Sequence, residues 1–311
     1  MLPTPHLVFF LTLDKDYLIP AAAAIHSLVN HHQGLVLKIY LLVGEQDRDW
    51  IQPLVRLIED SGSTAQIKTV SKELFSDLKY NLQFTSATYY RVMAGACFEE
   101  SKIIYLDSDI IVKGSLVELW NTDLENYPLA AVSDPFITDF QRLDLNPEEG
   151  YFNSGIMLLN LDRWRELGLG EKVLAFIKKF PNKVHYADQC GLNAVLKGDW
   201  KRLEPKWNLQ TAFLEKETLQ DCKKAFSEKD LNEALLLPKI IHYTGRLKPW
   251  NLGCNHPYKK LFWSNLSQTP FKRRLPLDFS FVNLIKSFFP LAVKKYYWRL
   301  VSKKQIVLLG P

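Results

Sequence analysis

Apolar residues fall in short runs that alternate with amphipathic stretches along most of the chain. LVFFLTL (7–13) is a β-rich run that stops at Asp14-Lys15-Asp16, and residues 17–32 carry helical spacing. LKIYLLVG (37–44) predicts the next strand, residues 50–62 a helix ended by Gly62, and AQIKTVSK (65–72) a third strand. KIIYL (102–106), YPLAAVSD (127–134) and GIMLLNL (155–161) predict further strands. EKVLAFIKKF (171–180) predicts an amphipathic helix with Pro181 past its end, and residues 185–198 a loop feeding a helix that stops at Gly198. Strand then helix at short spacing predicts an α/β fold, a mainly parallel central sheet with helices on both faces.

Ligands of such sheets collect beyond the carboxyl ends of the strands. Asp14 and Asp16 follow the first strand, and Asp107 and Asp109 follow KIIYL, so both acidic pairs are expected to face one crevice. Two carboxylates two positions apart after a buried strand repel each other unless a cation is present, either an Arg or Lys side chain or a metal. Short Asp side chains on one turn suit a divalent cation that also binds phosphate oxygens. IIHYTGRLKPWN (240–251) adds His242 at the end of an apolar strand, then a Gly turn, then Lys248. An imidazole beside a carboxylate pair favours Mn²⁺ over Ca²⁺, and Lys248 can meet phosphate as a point charge. Taken singly, each feature also fits a solvated loop, a core histidine or a surface lysine.

With 311 residues, 47% of them hydrophobic, the chain can bury a large core, which excludes a disordered protein. The four cysteines, Cys97, Cys190, Cys222 and Cys254, are far apart and form no CxxC pair, so free thiols in a reducing compartment are expected. The first apolar run ends at Asp14 without a basic segment before it, a poor signal peptide, and no run reaches the ~18 apolar residues of a membrane span. The net charge of +5 is uneven: from His256 onward there are 11 basic residues and one acid, Asp278, leaving 28 basic and 33 acidic residues before it.

Several segments together carry a more specific signal. YLDSDIIV (105–112), ATYYRV (87–92), LVELWNTDL (116–124), YFNSGIMLLNLDRWR (151–165), ADQCGLN (187–193), PKWNLQ (205–210) and HYTGRLKPW (242–250) resemble the sequence blocks of glycosyltransferase family eight. That family includes bacterial lipopolysaccharide galactosyl- and glucosyltransferases, and glycogenin. The resemblance runs from about Leu7 to HPYKKLFWSNLSQTPF (256–271). It implies a GT-A domain, a Rossmann-like nucleotide-sugar fold, over residues 1–268. The implied reaction moves glucose or galactose from UDP-glucose or UDP-galactose to a glycan or glycolipid acceptor, with retention, in lipopolysaccharide or other cell-surface glycan synthesis. By position in the blocks, the resemblance places Mn²⁺, or Mg²⁺ in its stead, on Asp107, Asp109 and His242. It places nucleotide and diphosphate contacts on Asp14, Asp16, Ser108, Gly245 and Lys248. Arg91, Asn153, Gly155, Asp188 and Gln189 fall in the donor-sugar pocket, Asp188 and Gln189 also in the catalytic role, and Asp134 on the acceptor side.

One position departs from the pattern. Relatives commonly read DQD where this chain reads Asp188-Gln189-Cys190, and a thiol there weakens a covalent double displacement, so front-face transfer is expected. A self-glucosylating enzyme like glycogenin is the alternative activity. A non-catalytic UDP-sugar or membrane-binding protein of the same fold is the alternative class, favoured by Cys190 alone. The segment 269–311 interleaves Lys and Arg with Phe281, Phe288, Phe289, Tyr296, Tyr297 and Trp298, the composition of an interfacial anchor. The expectation is a cytoplasmic protein held peripherally on the cytoplasmic face of the plasma (inner) membrane. The acidic body and the lack of a nucleic-acid module exclude nucleic acid as partner.

Overall fold

The computed structural model describes residues 7–45, 49–78, 85–215, 218–272 and 274–287. Its ten strands are β1 (Leu7–Leu13), β2 (Leu37–Gly44), β3 (Thr64–Val70), β4 (Lys102–Leu106), β5 (Ile110–Val112), β6 (Leu129–Ser133), β7 (Phe152–Asn160), β8 (Lys201–Leu203), β9 (Leu209–Gln210) and β10 (Ile240–His242). Seven form one sheet in the order β3-β2-β1-β4-β7-β6-β8, and three form a small second sheet, β5-β10-β9.

β1 lies inside the large sheet, and all seven of its residues are buried. Leu7, Phe9, Leu11 and Leu13 join the core on one face, while Val8 and Phe10 join the core on the other. Period-two alternation sends neighbours to opposite faces, so a continuous apolar run means a strand covered on both sides. Each fully buried Phe or Leu contributes about 1.5–3 kcal/mol of transfer free energy. The first face packs on the helices Leu18–Asn30 and Gln52–Glu59, where Ala21, Ala22, Ala23 and Ala24 let backbone approach sheet closely. The second packs on Ser86–Tyr90, Leu161–Glu166, Leu169–Lys179 and Ala187–Leu196.

The sheet is mainly parallel as expected, with one reversal that matters for the site. β1, β2, β3 and β4 pair in parallel, whereas β7 runs antiparallel to both neighbours, β4 and β6. The strand expected to start at Gly155 starts at Phe152, because Phe152 pairs with Ser133 and the polar but buried Asn153 and Ser154 lie in an irregularity of the ladder, with the Ser154 N–H taken by Gln189 Oε1. The helix expected over 50–62 is shorter: a 3₁₀ turn at Asp49–Ile51 leads into Gln52–Glu59, with Pro53 in its first turn and Gly62 at φ +80 just beyond. Among the described residues, no helix is long and apolar enough to cross a membrane.

Candidate active site

Asp107, Ser108 and Asp109 are the link by which the chain leaves the large sheet at Leu106 and enters the small one at Ile110. Across the small sheet, β10 pairs antiparallel with β5 and sets His242 opposite Ile110, one residue from Asp109. His242 Nε2 lies 3.3 Å from Asp109 Oδ1 and 3.6 Å from Asp107 Oδ2. The three ligand atoms of Asp107, Asp109 and His242 all lie within 4.8 Å of one another, a group able to hold a metal ion. Two hard carboxylate oxygens and one borderline imidazole nitrogen fit Mn²⁺ or Mg²⁺ better than a soft metal.

The reversal of β7 completes this corner. Leu106 pairs with Ile156, so residues that precede Ile156 lie beside residues that come after Leu106. Asp107 N–H donates to the Gly155 carbonyl at 2.8 Å. A Cβ on Gly155 would stand 2.2 Å from His242 Cε1 and 2.8 Å from Asp107 Oδ2, so only glycine allows the strand to pass under the group. Gly155 therefore acts here through close approach.

Fixed positive charge surrounds the carboxylates. Lys248 Nζ donates to Asp109 Oδ2 at 2.5 Å and to the Tyr243 carbonyl at 2.6 Å. Burial pushes the Asp109 carboxyl up, but Lys248 and His242 outweigh it and hold the group well below the usual carboxylate range. Arg91 is buried between Asp107 (Nη1 to Oδ1, 3.0 Å) and Asp188 (Nε to Oδ2, 3.2 Å). It also donates to the Ser154 carbonyl at 3.0 Å and lies 4.4 Å from the centre of the Tyr105 ring. Burial works against its charge, yet Asp107 and Asp188 raise its pKa further, so the guanidinium stays charged. Its Nε–H is directed at the Thr88 carbonyl (3.1 Å), so the contact with Asp188 is an ion pair without a hydrogen bond, and Asp188 Oδ2 has no donor. Burial, the largest influence, pushes the Asp188 carboxyl up to about 7, with Arg91 pulling down and Asp107 pushing up.

Asp134 lies at the carboxyl end of β6, beside the start of β7. Its Oδ2 is 3.4 Å from both Asn153 Nδ2 and Gln189 Nε2, and burial raises its pKa. Gln189 Oε1 accepts the Ser154 N–H at 3.0 Å. Ala187, the first residue of that helix, has φ +45, a strained conformation for an L residue, immediately before Asp188 and Gln189. Tyr17 follows the other acidic pair, Asp14 and Asp16, and its phenol is pushed up by burial first and then by the charges of Asp109, Asp107, Asp14 and Asp16. Asp14 also caps the turn Lys15–Tyr17, accepting from Asp16 N and Tyr17 N, and accepts from Thr85 Oγ1 at 2.5 Å. Ser108 Oγ is buried without a partner among the described residues, and Gly245, at φ +88, lies exposed on the loop before Lys248.

Cys190 turns away from this corner. Its sulfur accepts the Tyr186 N–H at 3.2 Å, lies 3.4 Å from Tyr151 Oη and 3.6 Å from Arg142 Nη1, and packs with Leu143, Leu145 and Ala194. Two partners, Tyr105 and Thr12, escaped the sequence reading, and a third, Asn208, reads from sequence only as an acceptor-cleft or loop residue. Tyr105 donates to Asp107 Oδ1 at 2.5 Å and accepts from Thr12 Oγ1 at 3.2 Å. Asn208, fully buried, stands 3.0 Å from His242 Nδ1. A buried amide between Trp207 and Leu209 was the available signal. Of the tryptophans that read from sequence as core rather than sugar platforms, Trp164 and Trp207 are core residues and Trp120 is half-buried against the core.

The model of Glycosyl transferase family 8 matches residues 8–253 of the chain. General stress protein A of Bacillus subtilis is 30% identical over 248 residues, covering 78% of this chain and 86% of that protein. The lipopolysaccharide 1,2-glucosyltransferase of Escherichia coli K12 is 28% identical over 294 residues, covering 92% of this chain and 85% of that protein. The crystal structure of the galactosyltransferase LgtC with donor and acceptor sugar analogues superposes with a TM-score of 0.76 at 22% identity, covering 85% of this chain and 96% of that one, a likeness of fold.

Proposed function

The chain belongs to glycosyl transferase family 8, and from that premise we propose that it moves glucose or galactose from a UDP-sugar to a hydroxyl of a cell-surface glycan acceptor, with retention of anomeric configuration. The observation that carries this reading is the convergence of Asp107, Asp109 and His242 beside Lys248 at the sheet-to-sheet link. Mn²⁺, or Mg²⁺, held by those three residues would supply positive charge to the diphosphate leaving group. Lys248 adds a second, covalently fixed positive charge at the same end. At the other end Asp188, Gln189, Asn153 and Asp134 orient the sugar hydroxyls, and the carboxylates face an anomeric centre that becomes positive as its bond to the β-phosphate breaks. The acceptor oxygen bonds to the same face of that carbon, and its proton passes to the departing phosphate oxygen. Gln189 lies beside the reacting face, with Asp134 toward the acceptor. The sulfur of Cys190 is buried and taken up by Tyr186 N–H, Tyr151 and Arg142, which supports front-face transfer. A glycosyl adduct trapped on Asp188 or Cys190 would overturn that part of the scheme.

The E. coli relative supports glucose as donor sugar and lipopolysaccharide as acceptor class. Membrane attachment through residues 269–311 belongs to the same reading. Leu275, Leu277, Phe279, Phe281 and Val282 are exposed together. Leu277 N–H donates to the Trp250 carbonyl (3.0 Å) and Leu252 N–H to Asp278 Oδ1 (2.9 Å), tying this strip to the loop that carries Lys248. Phe288, Phe289, Tyr296, Tyr297 and Trp298 lie outside the described residues. Each basic residue near anionic lipid contributes about 1 kcal/mol, so a chain ending at Ser280 is expected to stay in the supernatant when liposomes containing phosphatidylglycerol are sedimented. Equal sedimentation of the full chain and the truncation sinks the attachment.

The transferase reading is tested by UDP release from UDP-glucose and UDP-galactose, with and without Mn²⁺, for the wild type and Asp109→Ala. Metal-dependent release, lost in the variant, is expected, and the better substrate names the donor. Binding of UDP-sugar with neither release nor transfer over a panel of acceptors would overturn it in favour of a binding protein.

A further inference from the structure

A chain of side-chain amides lies behind the candidate metal ligands. Asn208 Oδ1 is 3.0 Å from His242 Nδ1, Asn208 Nδ2 is 2.9 Å from Asn153 Oδ1, and that same Oδ1 lies 3.0 Å from the Gly155 backbone N–H. Asn153, Asn208 and His242 are all buried, so each polar atom must find its partner within the protein.

The hydrogen-bond direction can be read from one end. A backbone N–H only donates, so the Asn153 atom facing Gly155 is its carbonyl oxygen. Asn208 must then offer its NH₂ group to Asn153, which turns its own oxygen toward the imidazole. An oxygen at that place requires the proton of a neutral His242 to sit on Nδ1. Nε2 is thereby the nitrogen turned toward the candidate metal ligands, 3.3 Å and 3.6 Å from the carboxylate oxygens of Asp109 and Asp107. Rotating either amide by half a turn would set like atoms face to face.

We propose that Asn208, itself held by Asn153, is a positioning residue that fixes His242 as its Nδ1–H tautomer and so presents Nε2 as the metal-accepting nitrogen. The inference rests on the metal-dependent reading of the site but names a residue and a proton position that reading did not need. It also joins the two ends of the site. Asn153 Nδ2 lies 3.4 Å from Asp134 Oδ2, so one run of side chains connects the sugar-side carboxylate to the imidazole.

The test uses the full chain labelled with ¹⁵N-histidine, the His242 ring signals being identified by their loss in His242→Gln. In metal-free wild type, Nδ1 is expected to carry a proton. In Asn208→Leu, Nδ1 is expected to lose it, leaving the proton on Nε2, where the carboxylates accept it. The dissociation constant for Mn²⁺, read from the electron paramagnetic resonance of the free ion, then rises about 10–100-fold. In Asn208→Asp, a carboxylate still accepts from Nδ1 and the wild-type tautomer persists. A folded Asn208→Leu with unchanged tautomer and Mn²⁺ affinity overturns the proposal, as does loss of the tautomer in Asn208→Asp. Because the ring signals need no metal, a wild type with the stated tautomer and no Mn²⁺ affinity overturns the metal-dependent reading while leaving the proton position established.

Discussion

Asp14/Asp16 and Asp107/Asp109 have the same spacing, each comes after a strand of the same sheet, and those strands, β1 and β4, are neighbours. Their environments nevertheless differ in kind. Asp109 is buried and paired with Lys248 and His242, and Asp107 with Arg91 and Tyr105. Asp14 satisfies two backbone N–H groups at the start of a turn, and Asp16 is exposed. The difference originates in the element that begins after each pair. A 3₁₀ turn and helix begin after Asp14, and unpaired N–H groups at a helical start draw a carboxylate. A strand begins after Asp109, it pairs with β10 and gives its Val112 N–H to Ser27 Oγ, and the carboxylates stay free for cations.

The largest effect is expected where one cation serves both ends of the buried pair's surroundings. Arg91→Leu leaves Asp107 and Asp188 without their guanidinium, and about 3–5 kcal/mol of stability should be lost, read from urea denaturation. Next comes the direct contest between the pairs. Asp109→Ala should slow UDP release by about 10²–10³-fold, the size of losing one fixed electrostatic contact in a transition state, and Asp16→Ala by less than about tenfold, the size of one solvent-exposed hydrogen bond. Equal losses would erase the distinction between the two pairs.

Gly155→Ala sharpens the comparison, since it crowds one pair and leaves the other untouched. Its methyl group would strike His242, and Mn²⁺ affinity measured by calorimetry should fall about 10–100-fold. The smallest effect concerns acidity. Lys248, which compensates Asp109, bears on His256 as well: burial first and Lys248 second hold its imidazole down to about 4. That is below the value in an unfolded chain, so the folded protein keeps His256 neutral while the unfolded one takes up a proton. The stability involved is fully present above about pH 6.5 and is lost as pH falls toward 4. His256→Phe should therefore lose less stability than wild type between pH 6.5 and 5, by about 2 kcal/mol, in thermal melts across that range.

The sequence was most legible where elements are long and apolar. β1, β2 and the helix Leu18–Asn30 fall almost where pattern alone placed them. β5, β8 and β9, of three, three and two residues, are too short for any periodicity to register. The direction of β7 was equally hidden, because a buried strand reads the same whether its neighbours run parallel or antiparallel. In the site, Asp107, Asp109, His242 and Lys248 stood out because unlike ligands recur in one pattern of segments. Thr12 did not, and the contact of Asn208 with His242 was hidden, since these residues act on partners 93 and 34 residues away and neither is chemically reactive. Arg91 was found, but its place behind two carboxylates is a product of packing that no spacing reveals.

The three-residue link between β4 and β5 has one more consequence, for how this protein can change over generations. Both its ends are ladder residues, and Ile110, Ile111 and Val112 are all enclosed in the core, so the stretch from Leu106 to Ile110 has no slack. One added residue would reverse which way every side chain of β5 points and shift His242 against a different neighbour. Surface loops generally tolerate added residues, whereas between Leu106 and Ile110 the count of residues is closed.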